Sequence, residues 1–157
     1  MKKYLLCFFC IGLLCSRCKK ENQSYNDPLM GKWQFYSNSI TRFGADACQY
    51  QSKPEDLYLL PASPYCEKDN VWEFSNDKLT IYNGSVKCML DEPEKLEHTY
   101  RKTDNDLTID GRAYHIVSLS NDTLIIDNCQ QINLNGPGMP PVGPSHVRVA
   151  SKYSRMR

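Results

Sequence analysis

The 157 residues hold only three histidines, no Gly-x-Ser-x-Gly elbow and no glycine-rich phosphate loop. These absences remove the local signatures of serine hydrolases, nucleotide-dependent enzymes and metal-dependent hydrolases. His98, His115 and His146 fall in separate segments without metal-ligand spacing. Asp104, Asp106, Asp110, Asp122 and Asp127 stand at turns, where aspartate is used for backbone hydrogen bonding. An excess of charge is lacking too: 19 Lys and Arg against 18 Asp and Glu leave +1, which argues against nucleic acid as a partner. There is no amphipathic helical period, no internal repeat and, beyond the first eighteen residues, no apolar run long enough to cross a bilayer as a helix. The expectation is a protein that performs no catalysis and carries no metal or cofactor.

What is present begins at the N-terminus. Met1-Lys2-Lys3 leads an apolar run from Tyr4 to Leu14, followed by Cys15-Ser16-Arg17-Cys18-Lys19-Lys20. A basic start, an apolar stretch too short to span a bilayer and an abrupt switch to polar residues form the pattern of an export signal. Because it ends on cysteine and not on Ala-x-Ala, it resembles the signal of a bacterial lipoprotein, acylated at the cysteine and cut just before it. Residues 1–17 then read as the signal peptide and Cys18 as the lipid-attachment site, with Cys15 as the alternative. Acyl chains of the palmitate type would anchor the chain to a membrane, and two of them suffice for stable attachment. Lys19, not an aspartate, follows Cys18, which points to an outer-membrane lipoprotein, periplasmic or surface-exposed. Residues 18–28 are a polar tether reaching at most about 35–40 Å. Loss of Lys2, Lys3 and Arg17 would shift the balance of +1 to −2, still close to neutral.

Four cysteines remain beyond the signal: Cys48, Cys66, Cys88 and Cys129. An even number in an exported domain implies two disulfides among three connectivities. Cys66 and Cys88 flank a compact hairpin, so Cys66–Cys88 with Cys48–Cys129 is the favoured pairing.

From residue 29 onward the pattern is of short strands and turns. Lys32–Ile40 alternates, with Trp33 and Phe35 on one face. A long irregular segment follows to Asn70. Val71–Phe74 turns at Ser75-Asn76-Asp77 into Leu79–Tyr82, and Asn83-Gly84 is a strong hairpin signal with Val86–Leu90 as the return strand. Residues 91–95 read as a loop. Glu97–Lys102, Leu107–Ile109, Ala113–Leu119 and Thr123–Asp127 form a meander, the last continuing toward Leu134. Residues 136–144 are a Gly/Pro stretch, and His146–Tyr153 is the final strand. The fold expected over 29–157 is all-β: an antiparallel up-and-down barrel of eight or nine strands, which closes its own edges.

The residues then reach a family. Gly31-Lys32-Trp33 looks like the Gly-x-Trp motif that opens lipocalins. Cys66-Glu67-Lys68-Asp69-Asn70-Val71-Trp72-Glu73-Phe74, with Gly84 and Cys88 and the Tyr114-His115-Ile116 meander, resembles the lipocalin-like domains of bacterial lipoproteins, which often pair two cysteines across this hairpin. The resemblance implies an arginine of the last strand packed over the Gly-x-Trp indole, with Arg148 and Arg155 as the candidates. An eight-strand barrel is wide enough to hold one small ligand, so the leading expectation is a small hydrophobic ligand held in the barrel without catalysis, with Trp33, Phe35, Trp72, Phe74 and Tyr114 as ligand-binding candidates and the long, partly apolar 43–69 segment as a lid. The competing expectation is a barrel packed solid by those aromatics. Such a barrel would serve as a structural module or meet an envelope protein through its rim or through 136–144.

Overall fold

The computed structural model describes residues 27–54, 65–132 and 145–157. The expectations for the signal segment, Cys18, most of the tether, the loop residues 55–64 and the Gly/Pro stretch lie outside the described residues.

Eight strands follow one another: β1 (Gly31–Phe43), β2 (Val71–Ser75), β3 (Lys78–Tyr82), β4 (Lys95–Thr103), β5 (Asp106–Ile109), β6 (Arg112–Leu119), β7 (Thr123–Ile132) and β8 (Ser145–Arg155). Each pairs antiparallel with the next, and β8 returns to β1 to close the barrel. Closure removes the unpaired edges that an open sheet of this length would expose. The tight turns are made by the residues that tolerate left-handed backbone. Asn76, Asp104 and Asp110 have φ of 52°, 52° and 46°. Asp110-Gly111 has positive φ at both positions, as a two-residue primed hairpin turn requires.

The return strand expected at Val86–Leu90 is not formed. Residues 83–94 are a loop, and the strand that returns against β3 is β4, starting at Lys95. Side chains in the loop and beside it occupy its backbone donors. The Asp69 carboxylate accepts from Ser85 N at 2.6 Å, and Asn70 Oδ1 accepts from Gly84 N at 2.8 Å. Glu92 accepts from Cys88 N at 2.9 Å. Val86, Met89 and Leu90 are exposed, so no core draws them into a ladder. Gly84 serves close approach in place of a hairpin turn: a Cβ there would lie 1.9–2.2 Å from the Asp69 carboxyl. Gly84→Ala is therefore expected to displace Asp69 and loosen the loop. Faster amide exchange at Ser85 and Val86 is the expected result, and unchanged exchange would contradict it.

Both expected disulfides are present, Cys48–Cys129 and Cys66–Cys88. The first ties the connection after β1 to β7, and the second ties its far end to the 83–94 loop. A buried ion pair outside the barrel wall reinforces the first. Arg148 Nη1 donates to Asp127 Oδ1 at 2.9 Å, while its other nitrogens donate to the carbonyls of Ala47 at 3.0 Å and Cys48 at 3.1 Å. Asp127 Oδ2 accepts from Ser52 N at 3.0 Å.

One end of the barrel is packed solid. Residues 27–30 fold beneath it, with Leu29 fully buried under Trp33. The Trp33 indole donates to the Leu29 carbonyl at 2.7 Å, satisfying its polar atom in the core. Arg155, not Arg148, lies over that indole, 4.3 Å from the ring centroid. It also donates to the carbonyls of Met30 and Pro28. Gly31 has φ of +113°, and a Cβ there would sit 3.1 Å from the Arg155 guanidinium. The glycine of Gly-x-Trp is thus needed both for its backbone and for the arginine. Phe74 and Tyr100 meet edge to face at 5.0 Å in the same layer, with Leu79, Leu107 and Leu124 completing it.

Candidate functional site

The inward-facing residues change character along the barrel axis. On β7 the inward series runs Leu124, Ile126, Asn128, Gln130, the first two packed in the core and the last two lining a cavity. On β2 and the turn before it the series runs Phe74, Trp72, Asn70, and on β3 it runs Leu79, Ile81, Asn83. The closed end is apolar, the middle is an aromatic belt and the far end is ringed by amides. That far end is the mouth, where the long connections after β1, β3 and β7 emerge.

The mouth encloses a cavity of about 320 Å³. Its floor is Phe35, Trp72 and Tyr153, with the Trp72 and Tyr153 ring centroids 4.8 Å apart and those of Phe35 and Tyr153 5.6 Å apart. Ile81, Leu96 and Val149 complete the apolar wall. A second cavity of about 380 Å³ shares Trp72, Ile81 and Tyr114 and opens toward His98, Asp110 and Arg112. There His98 Nδ1 is 2.6 Å from Asp110 Oδ2, and the imidazole together with Thr99 holds the Asp110 carboxyl below its usual range. Among the described residues no group of three or more acidic, histidine or cysteine side chains is placed to hold a metal.

The structure divides the five ligand-binding candidates. Phe35, Trp72 and Tyr114 line the mouth cavity. Trp33 and Phe74 lie deeper, 0% and 1% exposed, and are core residues of the closed end. The polar lining was not anticipated: Asn38, Glu67, Asn70, Asn83, Glu92, Asn128 and Gln130. For Asn128 and Gln130 the signal was available, since the alternation from Leu124 carries inward through both. For Asn38 it was not. Register shifts between Phe35 and Ser37 and between Ile40 and Arg42 insert extra residues in β1. The first turns Asn38, which simple alternation from Trp33 and Phe35 assigns to solvent, to the inward face.

Two carboxylates stand in the mouth. Burial holds the Glu67 carboxyl above its ordinary range, a hydrogen bond from Asn38 works the other way, and the Glu92 charge adds to the rise. Burial also holds the Tyr153 phenol well above its usual range. A raised carboxyl pKa is a stability cost with a definite sign. At low pH Glu67 is protonated in both states and costs nothing. As pH rises the unfolded chain ionises first, and the penalty on the fold is complete once pH passes the folded value. Glu67→Gln is expected to raise the melting temperature at about pH 7.5 and leave it unchanged at about pH 3.5. A lower melting temperature at neutral pH would contradict this.

A family model described as a lipocalin-like domain matches residues 29–126, from the closed-end plug to the middle of β7. No curated protein and no solved structure gives a match.

Proposed function

The chain belongs to the lipocalin-like domain family, and on that premise we propose that it binds one small amphiphilic molecule in the barrel mouth, without catalysis. The apolar part rests on the belt of Phe35, Trp72, Ile81 and Tyr114, and the polar part meets the ring of amides and carboxylates. The observation that carries this reading is the cavity of about 320 Å³ above a floor of aromatic rings. That volume is at the lower end of what small-molecule sites offer, about 300–1,000 Å³. Burial of apolar ligand area supplies the driving force. The test is a titration with the fluorescent probe phenylnaphthylamine, for which saturable one-site enhancement is expected. Trp72→Ala should weaken it about tenfold, the loss of about 1.4 kcal/mol of contact. Enhancement that never saturates would remove the reading.

Export and lipid attachment at Cys18 belong to the same proposal, placing the domain at the outer membrane. Residues 27–30, where the tether would enter, lie at the closed end. An anchored barrel would therefore turn its mouth away from the membrane that holds it. Labelling cells with an alkynyl palmitate tests the attachment: Cys18→Ser should lose the label and Cys15→Ser should keep it.

One observation favours a second reading, docking to an envelope protein. Met89 and Leu90, 70% and 99% exposed, stand on the 83–94 loop at the mouth rim, which is fixed in place by Cys66–Cys88. Met89→Asp with Leu90→Asp should abolish co-purification of such a partner while leaving probe binding intact.

A further inference from the structure

We propose that the mouth selects an organic cation, an amine or quaternary ammonium on an apolar or aromatic body, over an anionic or neutral amphiphile of the same size. This rests on the ligand-binding reading above and names the chemical class of its ligand.

Charge is the first observation. Among the described residues that line the mouth cavity, the charged ones are Glu67 and Glu92, and no lysine or arginine joins them. His98 and Arg112 line the second cavity, which shares Trp72, Ile81 and Tyr114 with the mouth and where Asp110 accompanies them; on the rim loop Lys87 commits its ammonium to the Glu92 backbone carbonyl at 2.8 Å. A fatty-acid carboxylate in the mouth would face two like charges, with no cationic side chain among the lining residues.

Hydrogen-bonding capacity is the second, independent observation. Asn38 Oδ1 is buried and has no hydrogen-bond partner among the described residues. Its amide orientation is constrained by chemistry. Asn38 Nδ2 lies 3.4 Å from Glu67 Oε2, and turning the amide over would set two acceptors against each other. This unpaired acceptor beside Glu67 adds to the negative potential at the wall, which favours an ammonium group, a donor with no acceptor capacity. Glu92 spends Oε2 on the Cys88 amide at 2.9 Å, which fixes its carboxylate at the rim.

The aromatic floor is the third. The Trp72 and Tyr153 rings, 4.8 Å apart, lie in the same cavity as Glu67. Electron-rich ring faces beside carboxylates are the arrangement that attracts amines and quaternary ammonium groups. An amine head between Glu67, Glu92 and Asn38 would leave its apolar body against Trp72 and Ile81. Each part of such a ligand then meets complementary chemistry.

The test uses three compounds with one phenyl ring and a two-carbon arm, each competing against bound phenylnaphthylamine at neutral pH and low salt. They are phenethylammonium, phenethyl alcohol and phenylacetate. Phenethylammonium is expected to compete at a concentration about tenfold below phenethyl alcohol, with phenylacetate weakest. Combined Glu67→Gln and Glu92→Gln should erase that preference, phenethylammonium then competing no better than phenethyl alcohol. Glu92→Gln alone, on the exposed loop, should reduce it partially and guards against a folding defect in the double variant. Equal or better competition by phenylacetate or the alcohol overturns the proposal, as does a preference that survives both substitutions. Either of those results leaves the amphiphile reading standing. Absence of phenylnaphthylamine binding to the native protein removes both.

Discussion

Trp33→Ala is expected to cost about 3–5 kcal/mol of folding stability, the range for removing a large aromatic from a tightly packed core. Trp33 is fully buried, donates its indole N–H to Leu29 at 2.7 Å and carries Arg155 on its ring face at 4.3 Å. Its removal opens the closed end and frees the plug formed by residues 27–30. A single domain of this size has about 5–15 kcal/mol to lose, so thermal unfolding should shift down by well over ten degrees or the protein should fail to accumulate. Trp72→Ala should cost distinctly less, because Trp72 is half-buried against an existing cavity. Chemical denaturation of the two variants side by side checks this. Equal losses would mean that the two ends of the barrel are packed alike.

Arg148→Met is the second large effect. The substitution keeps most of the aliphatic volume but removes the guanidinium that reaches Asp127, Ala47 and Cys48. Asp127 is 1% exposed and would keep only the Ser52 amide as a partner. Stranding one member of a buried pair costs about 3–5 kcal/mol, whereas replacing both by apolar side chains is often nearly neutral. Arg148→Met combined with Asp127→Leu should therefore regain most of the loss, and denaturant midpoints of the single and double variants measure it. A double variant no more stable than Arg148→Met would show that the carbonyl contacts to the connection after β1, not the ion pair, hold this region. The disulfide Cys48–Cys129 keeps the same connection attached in every variant, so the comparison isolates the polar network.

How much of this was legible in the sequence varies by element, and the reasons are physical. Strands with clean alternation and turn residues tolerant of positive φ were readable, as at Val71–Phe74, Leu107–Ile109 and Ala113–Leu119. The disulfide pairing was readable because the hairpin brings Cys66 and Cys88 together. Asn83-Gly84 misled, since a glycine adopted for close approach to Asp69 carries the same letters as a hairpin turn. The loop it begins is held by side-chain hydrogen bonds and a disulfide, which a local propensity argument does not contain. Arg155 could not be chosen over Arg148 without the register that sets Trp33 opposite Arg155. The site itself was half legible. Period-two alternation places Trp33, Phe35, Trp72, Phe74 and Tyr114 inside, but it says nothing of depth along the barrel axis. Depth separates core from cavity, and it depends on residues 27–30 folding under one end only. Asn38 was hidden by a bulge, and Glu67 and Glu92 enter the mouth from connections that carry no period at all.

The central claim is a barrel solid at one end and hollow at the other, and the chain's two tryptophans report on one end each. The most direct measurement is the pair of indole N–H signals in a ¹⁵N-correlated NMR spectrum, followed as phenylnaphthylamine is added. The Trp72 signal should move and saturate while the Trp33 signal stays in place. Movement of Trp33 with Trp72 unaffected, or two signals unchanged through saturating probe, would contradict the account.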